Sequence, residues 1–269
     1  SMYQGVLKKL LTEESNPVQY FLQLKPGFIH LNQCLNRVLE WEVMGTECLS
    51  CSATDPIFAQ GFCRSCFFEN PAAGQWIMRP ELSKAHLNEA DRDLNYEKKL
   101  QLQPHVVYLA SSSHLKVGVT RKSQLPTRWI DQGAQQAITI LEVPNRYLAG
   151  IAEVALKVIF SDKTQWRKMV QNQSETIDWP TEIHRALAQL PEEVKPYIVQ
   201  PVEKLKSISY PIKGQYPLKP ISLNLSKNPS YSGKLIGIKG QYLLFEDQTV
   251  FNVRSNEGQV VRLKIKHEA

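Results

Sequence analysis

Four of the five cysteines fall within one short stretch, CLSCSATDPIFAQGFCRSC, from Cys48 to Cys66. They form two Cys-x2-Cys knuckles, Cys48/Cys51 and Cys63/Cys66, separated by eleven residues. A Cys-x2-Cys turn can aim two thiolates at one ion, and two such turns complete a tetrahedral four-sulfur zinc site. Four thiolates leave the ion no open position, so the zinc expected here is structural; a catalytic zinc keeps a water in its fourth place. The loop between the knuckles contains no Lys or Arg, which argues against it as a phosphate-gripping surface. Phe58, Phe62, Phe67 and Phe68 are expected to pack around the site, and Cys34 to be a buried free thiol. His86 and His105 read as ordinary polar residues rather than ligands of a second ion.

A second set of reactive side chains lies in HVVYLASSSHLKVGVTR, residues 105–121. Two apolar runs flank a serine-rich break, the pattern of a β-hairpin. Pairing Ser111 with Leu115 puts Val107, Leu109, Leu115, Val117 and Val119 on one face. Tyr108, Lys116, Gly118 and Thr120 then share the other. A slip of one residue would mix apolar and polar positions, so burial selects this register. LPTRWIDQGA follows as a short helix, with Pro126 in its first turn and Gly133 near its end. AITILEV reads as a third strand, and RYLAGIAEVALKVIF as a helix of roughly four turns. Glu153 on that helix lies one turn from Ala149, Gly150, Leu156 and Lys157. A carboxylate among small and apolar neighbours needs a cation, a metal or hydrogen-bond donors; a solvated glutamate at the helix edge is the plainer alternative.

The resulting β-β-α-β-α order resembles the GIY-YIG nuclease superfamily over roughly residues 105–160. Val106–Tyr108 takes the place of the first motif and Lys116–Gly118 that of the second. Arg128 falls where the superfamily carries its helix arginine, and Glu153 where it carries its metal-binding glutamate. Two positions depart from the pattern: Lys116 stands in place of the second motif's tyrosine, and Val106 in place of the first glycine. The longer run, a Cys-rich segment ahead of HVVYLA, LKVGVTR and RWIDQGA, is similar to a prokaryotic family of unassigned activity. The nuclease resemblance implies metal-dependent cleavage of a DNA or RNA phosphodiester. Mg²⁺ or Mn²⁺ on Glu153 would stabilise the leaving oxygen. Arg128 would neutralise the scissile phosphate, Tyr108 would position or deprotonate water, and Lys116 and Arg121 would hold phosphates.

These two centres sit in a chain of 269 residues, 42% hydrophobic and 22% charged, with a formal net charge of +6. That balance is ordinary for a globular protein, and its mild basicity permits an anionic partner without requiring one. No apolar stretch is long enough to span a bilayer and no cleavable signal is visible, so a cytoplasmic protein is expected. The fold expected is α+β. Residues 1–47 read as a β segment, 48–104 as the zinc segment with a connecting helix, and 105–200 as the GIY-YIG-like domain with a helical extension. Residues 201–230 read as a linker and 231–269 as a C-terminal β segment. YQGVL at Tyr3–Leu7 resembles YSGKL at Tyr231–Leu235, so the two ends are expected to cover each other's open edges in one barrel-like domain. Three functions follow: a metal-dependent nuclease, a noncatalytic nucleic-acid-binding module, or a scaffold for protein partners.

Overall fold

The computed structural model describes residues 1–200 and 204–267. The first three residues of the expected linker, 201–203, and the last two of the C-terminal segment lie outside them. The chain divides into two compact units. The first comprises Ser1–Phe68, Val170–Asn172 and Ile208–Ala269, and the second Glu69–Met169 and Gln173–Ser207.

The first unit is built on a seven-stranded sheet. Its order is Met2–Val6, Gln259–Ile265, Val38–Thr46, Ser230–Lys239, Tyr242–Phe245, Thr249–Asn252 and Ile221–Ser222. The two ends of the chain do pair: Tyr3 lies opposite Leu263, and Trp41 lies between Leu263 and Tyr231. The sheet is open rather than a closed barrel, with Met2–Val6 at one edge and Ile221–Ser222 at the other. Alternation along Val38–Thr46 sends Leu39 and Trp41 into the core, where Trp41 meets Phe251 with ring centroids 5.2 Å apart. The turn at Pro26 and Gly27 leads into an additional strand, Gly27–His30, which joins Gln19–Leu24 and Leu11–Glu13 in a three-stranded sheet. Cys34 is a buried free thiol, its pKa raised by burial.

Residues 204–230 do more than link. Tyr210, Leu223 and Leu225 are buried, Val18 N–H bonds the Ser209 carbonyl, and Leu223 N–H bonds that of Val250. Their Pro, Lys and Ser content masked a few apolar side chains that the sheet buries.

The second unit holds a four-stranded sheet in the order Lys206–Ser207, Gln136–Val143, His105–Ser111 and Leu115–Arg121. Short helices, Thr127–Asp131 and Arg146–Leu156, follow its second and third long strands. Asn145 caps the latter by accepting from Leu148 N–H at 2.9 Å. Val107, Leu109, Val117, Ile138 and Ile140 pack with Ala149, Ala152 and Leu156 of that helix in one core. The helical reading of 161–200 resolves into two helices, Trp166–Val170 and Trp179–Gln189, and the 3₁₀ segment Glu192–Tyr197. Among the described residues no helix is long and apolar enough to cross a membrane.

One charge lies deep in the first unit. Lys239 is 0% exposed; its ammonium donates to Asn172 Oδ1 at 2.9 Å and lies 5.7 and 5.8 Å from the Tyr210 and Tyr216 ring centroids. Burial brings its pKa down to about 7. The unfolded chain keeps that proton up to about pH 10.4. Between those values the unfolded state binds more protons, so stability rises with pH across the interval and is lost on going back down. Lys239→Met is expected to flatten this rise by up to about 1.4 kcal/mol per pH unit. Urea unfolding of both proteins at several pH values between about 7 and 9 measures it; parallel profiles would refute the assignment to Lys239.

Candidate functional site

The four-cysteine cluster forms where Val38–Thr46 ends and the hairpin Ile57–Ala59/Phe62–Cys63 runs into the helix Arg64–Glu69. Gly61, at φ +79°, makes the tight turn, and an added Cβ there would sit 2.4 Å from Leu49 Cδ1. The four sulfurs lie within 4.8 Å of one another. Cys51 Sγ and Cys63 Sγ are 3.8 Å apart, close to the edge of a tetrahedron with zinc–sulfur bonds of about 2.3 Å. The donor set and spacing therefore fit one zinc ion. The amides of Ser50 and Cys63 donate to Cys48 Sγ at 3.4 and 3.3 Å. Burial raises the Cys48 pKa, but hydrogen bonds, those from the Cys51, Cys63 and Ser50 backbone foremost, outweigh it and bring the value down to about 6. A thiolate is the form a metal needs. Phe58, Phe67 and Phe68 contact one another beside the cluster, with Arg64 over the Phe58 and Phe68 rings.

In the second unit the hairpin has the register that burial selects: Ser111 faces Leu115, Ala110 faces Lys116, and Tyr108 faces Gly118. Tyr108 is 0% exposed, and its ring crosses the bare backbone of Gly118, where an added Cβ would stand 2.4 Å from the phenol carbon Cζ. Its hydroxyl donates to Gln132 Oε1 at 2.8 Å, and its ring meets Trp129 edge-on at 5.7 Å. Burial raises the phenol's pKa further than the nearby Arg128 and Gln132 lower it. Burial thus favours the neutral form of the phenol that donates to Gln132.

Lys116 is 3% exposed. Burial, and then the Arg128 guanidinium, bring its pKa down to about 8, while Asp162 and Glu153 act the other way. Glu153 is 7% exposed, and burial raises its pKa against Lys157 and Arg146. Lys157 Nζ stands 3.4 Å from Glu153 Oε1 and 3.2 Å from Asp162 Oδ2. Arg146 donates to the carbonyls of Trp76 and Ile77 at 3.1 and 2.6 Å. Burial brings its pKa down to about 10, with Glu153 raising it and Arg128 and Arg121 lowering it. The helix comes this close because Gly150 lets it lie against Pro80 and Glu81: a Cβ there would be 2.3 Å from Glu81 N.

Tyr108 and Lys116 are therefore each within electrostatic reach of both Arg128 and Glu153. Arg121 stands at the opposite end of the hairpin, facing His105 in the ladder and acting on the His105 and Tyr96 side chains. Five residues from Lys116 on an alternating strand, it turns to the other face. His105 is fully buried; burial brings its pKa down to about 4, and its Nδ1 lies 2.7 Å from the Gln103 carbonyl. His86 stacks on Tyr147 at 4.5 Å. Arg146, Lys157, Asp162 and Gln132 complete the cluster; of these the sequence named only Lys157, as a helical neighbour of Glu153. Helical spacing carries the signal for three of them. Arg146 and Lys157 lie seven residues before and four after Glu153, and Gln132 four after Arg128. Asp162 follows the helix in irregular chain and has no such signal.

A family model described as Protein of unknown function (DUF2797) matches residues 36–261, a span that includes both centres. No curated protein and no solved structure matches the chain.

Purified protein is expected to carry about one zinc per chain by elemental analysis, and a chelator to lower its melting temperature; Cys63→Ser should remove both the metal and the chelator's effect. Gly118→Ala is expected to destabilise the protein by about 1–3 kcal/mol through collision with Tyr108. An unchanged denaturation midpoint would show that the ring moves aside freely.

Proposed function

We propose that this chain, which belongs to the DUF2797 family, is a nuclease-like protein that binds a nucleic-acid phosphodiester at the Tyr108 face. One observation carries the reading: Lys116 and Arg146 lie within electrostatic reach of the buried carboxylate of Glu153, Lys157 pairs with it, and Arg128 acts on both Lys116 and Arg146. With Lys157, four cations meet two carboxylates, Glu153 and Asp162, and the surplus positive charge favours an added anion. The order of elements, two strands, a short helix, a strand and a helix, is that of the GIY-YIG-like unit read from the sequence.

Each residue then has a distinct task. The planar fork of Arg128 binds the scissile phosphate and neutralises its charge. Lys116 grips phosphate as an ammonium below pH about 8 and becomes competent as a base above it. Tyr108 holds Gln132 in place by its hydrogen bond and keeps water from the interior of the face. Glu153, with Asp162 across Lys157, offers the hard oxygen donors that suit Mg²⁺ or Mn²⁺. When bound, such an ion supplies Lewis-acid stabilisation of the leaving oxygen. Lys157 has to swing away from Glu153 for this, which its partial exposure permits. The same ion pair favours a second reading, a noncatalytic nucleic-acid-binding or protein-interaction module. In either case the zinc holds the cysteine segment together rather than taking part in chemistry.

With Mg²⁺ or Mn²⁺ the protein is expected to cut labelled DNA or RNA. Glu153→Gln should abolish cleavage while keeping binding, and Arg128→Ala should weaken both. Salt-sensitive binding without cleavage would return the noncatalytic reading, and absence of both would end the nucleic-acid proposal. Since Lys116 is charged only below about pH 8, the affinity of the Glu153→Gln protein should fall as pH rises from about 7 to about 9. Filter binding with Lys116→Met as control tests this: equal slopes would remove Lys116 from the phosphate site.

A further inference from the structure

The loop joining the two hairpin strands has a chemistry that the proposed cleavage does not use. Ser111, Ser112 and Ser113 are all buried, Ser112 at 0% exposure. Among the described residues, the backbone N–H groups of Ser112, Ser113 and His114 donate to no acceptor. Buried N–H groups without an acceptor are rare in folded proteins, and those of Ser112 and Ser113, followed by that of half-buried His114, concentrate partial positive charge. The surrounding hydroxyls do not relieve them. Ser112 Oγ donates to Thr164 Oγ1 at 3.4 Å, and Ser113 Oγ lies 3.0 Å from His114 Nδ1. The Ser111 carbonyl is turned away, accepting from Gln135 N–H at 2.7 Å.

A buried cation follows the loop in the chain. Lys116 is buried one residue beyond Leu115, which closes the loop opposite Ser111. The segment Ser161–Thr164 runs alongside both. Ser161 bridges to Lys116 and accepts from Val117 N–H at 2.8 Å, and Thr164 meets Ser112. The nearest carboxylate of this segment, Asp162, is engaged by Lys157. Ser161, Asp162 and Lys163 are themselves exposed, so only a thin cover separates the loop from solvent.

We propose that the Ser111–Leu115 loop is a cradle for a terminal phosphate group, held by the three amides, the adjoining serine and threonine hydroxyls and the Lys116 ammonium. A tetrahedral dianion has acceptor oxygens for this many donors, where a carboxylate has only two. The buried position admits the end of a molecule rather than the middle of a polymer. The ligand is therefore inorganic phosphate or a phosphate monoester, such as a phosphorylated nucleic-acid end, and not an internal phosphodiester. The cradle shares Lys116 with the proposed nuclease site, so a terminal phosphate would compete there with an internal phosphodiester, but it needs neither a divalent ion nor cleavage.

Amide-detected NMR of the full-length isotopically labelled protein tests it directly. Titration with inorganic phosphate is expected to shift the Ser112, Ser113 and His114 amide resonances together along one saturable curve, which chloride at matched ionic strength does not reproduce. Lys116→Met should weaken that curve about tenfold, as should Ser112→Ala. Thr164→Val, at the half-buried rim, gives a second measure if either buried variant fails to fold. A 5′-phosphorylated oligonucleotide that competes with phosphate, where its 5′-hydroxyl counterpart does not, identifies a nucleic-acid end as the source. Binding of inorganic phosphate alone keeps the cradle and assigns it to the free ion. Shifts no larger in phosphate than in chloride would overturn the proposal, and so would a phosphate curve left unchanged by Lys116→Met in a folded protein.

Discussion

The candidate site depends on one steric fact: a tyrosine ring lies across a strand that has no side chain beneath it. Tyr108 covers Gly118 so closely that even a methyl group at that position would overlap the phenol. The ring in turn touches Trp129, and its hydroxyl reaches Gln132, so the helix carrying Arg128 is held down onto the hairpin. The first unit uses a related device. Tyr231 lies over Gly233 two residues along the same strand, its ring edge-on to Phe245 and its hydroxyl donating to Asp247. An aromatic ring restores the packing that a strand glycine lacks. At Tyr108 that packing also fixes the place of a charged side chain.

Burial makes the charges around that ring consequential. Lys116, Arg146 and Glu153 are each withdrawn from water, and each is displaced by that withdrawal toward its neutral form. Glu153 favours the charged forms of Lys116 and Arg146, while Arg128 opposes them, and Arg146 also donates to two backbone carbonyls. A cluster assembled this way is sensitive to one added charge, because little solvent screens the change. The cysteine centre works on the opposite principle. Its four sulfurs suit an ion that closes the site and leaves no coordination position for a substrate.

Much of this was legible in the sequence where a period and a chemistry coincided. The hairpin register followed from alternation, because only one pairing kept Val107, Val117 and Val119 together. The cysteine cluster followed from spacing alone. Pairing of the two chain ends was visible in their matching strand patterns, but closure into a barrel was not decided by pattern: the edge strands Met2–Val6 and Ile221–Ser222 remain apart in an open sheet. The resemblance implies phosphate-holding roles for both Lys116 and Arg121; strand alternation sends the two to opposite faces, and Arg121 acts on Arg146. Asp162 joins the cluster through tertiary contact from irregular chain, and no local pattern marks it.

The strand Val38–Thr46 has both of its neighbours, Ser230–Lys239 and Gln259–Ile265, supplied from much later in the sequence. During synthesis at about 5–20 residues per second, it emerges roughly ten to forty seconds before either partner exists. For that interval Leu39 and Trp41 sit on a strand with two bare hydrogen-bonding edges, the condition under which strands associate with wrong partners. The second unit, encoded entirely within that interval, can complete its own sheet in the meantime. The order of synthesis thus leaves a strand made early to complete its sheet late, and makes a nascent chain of this sequence a natural client for chaperones that shield unpaired strands.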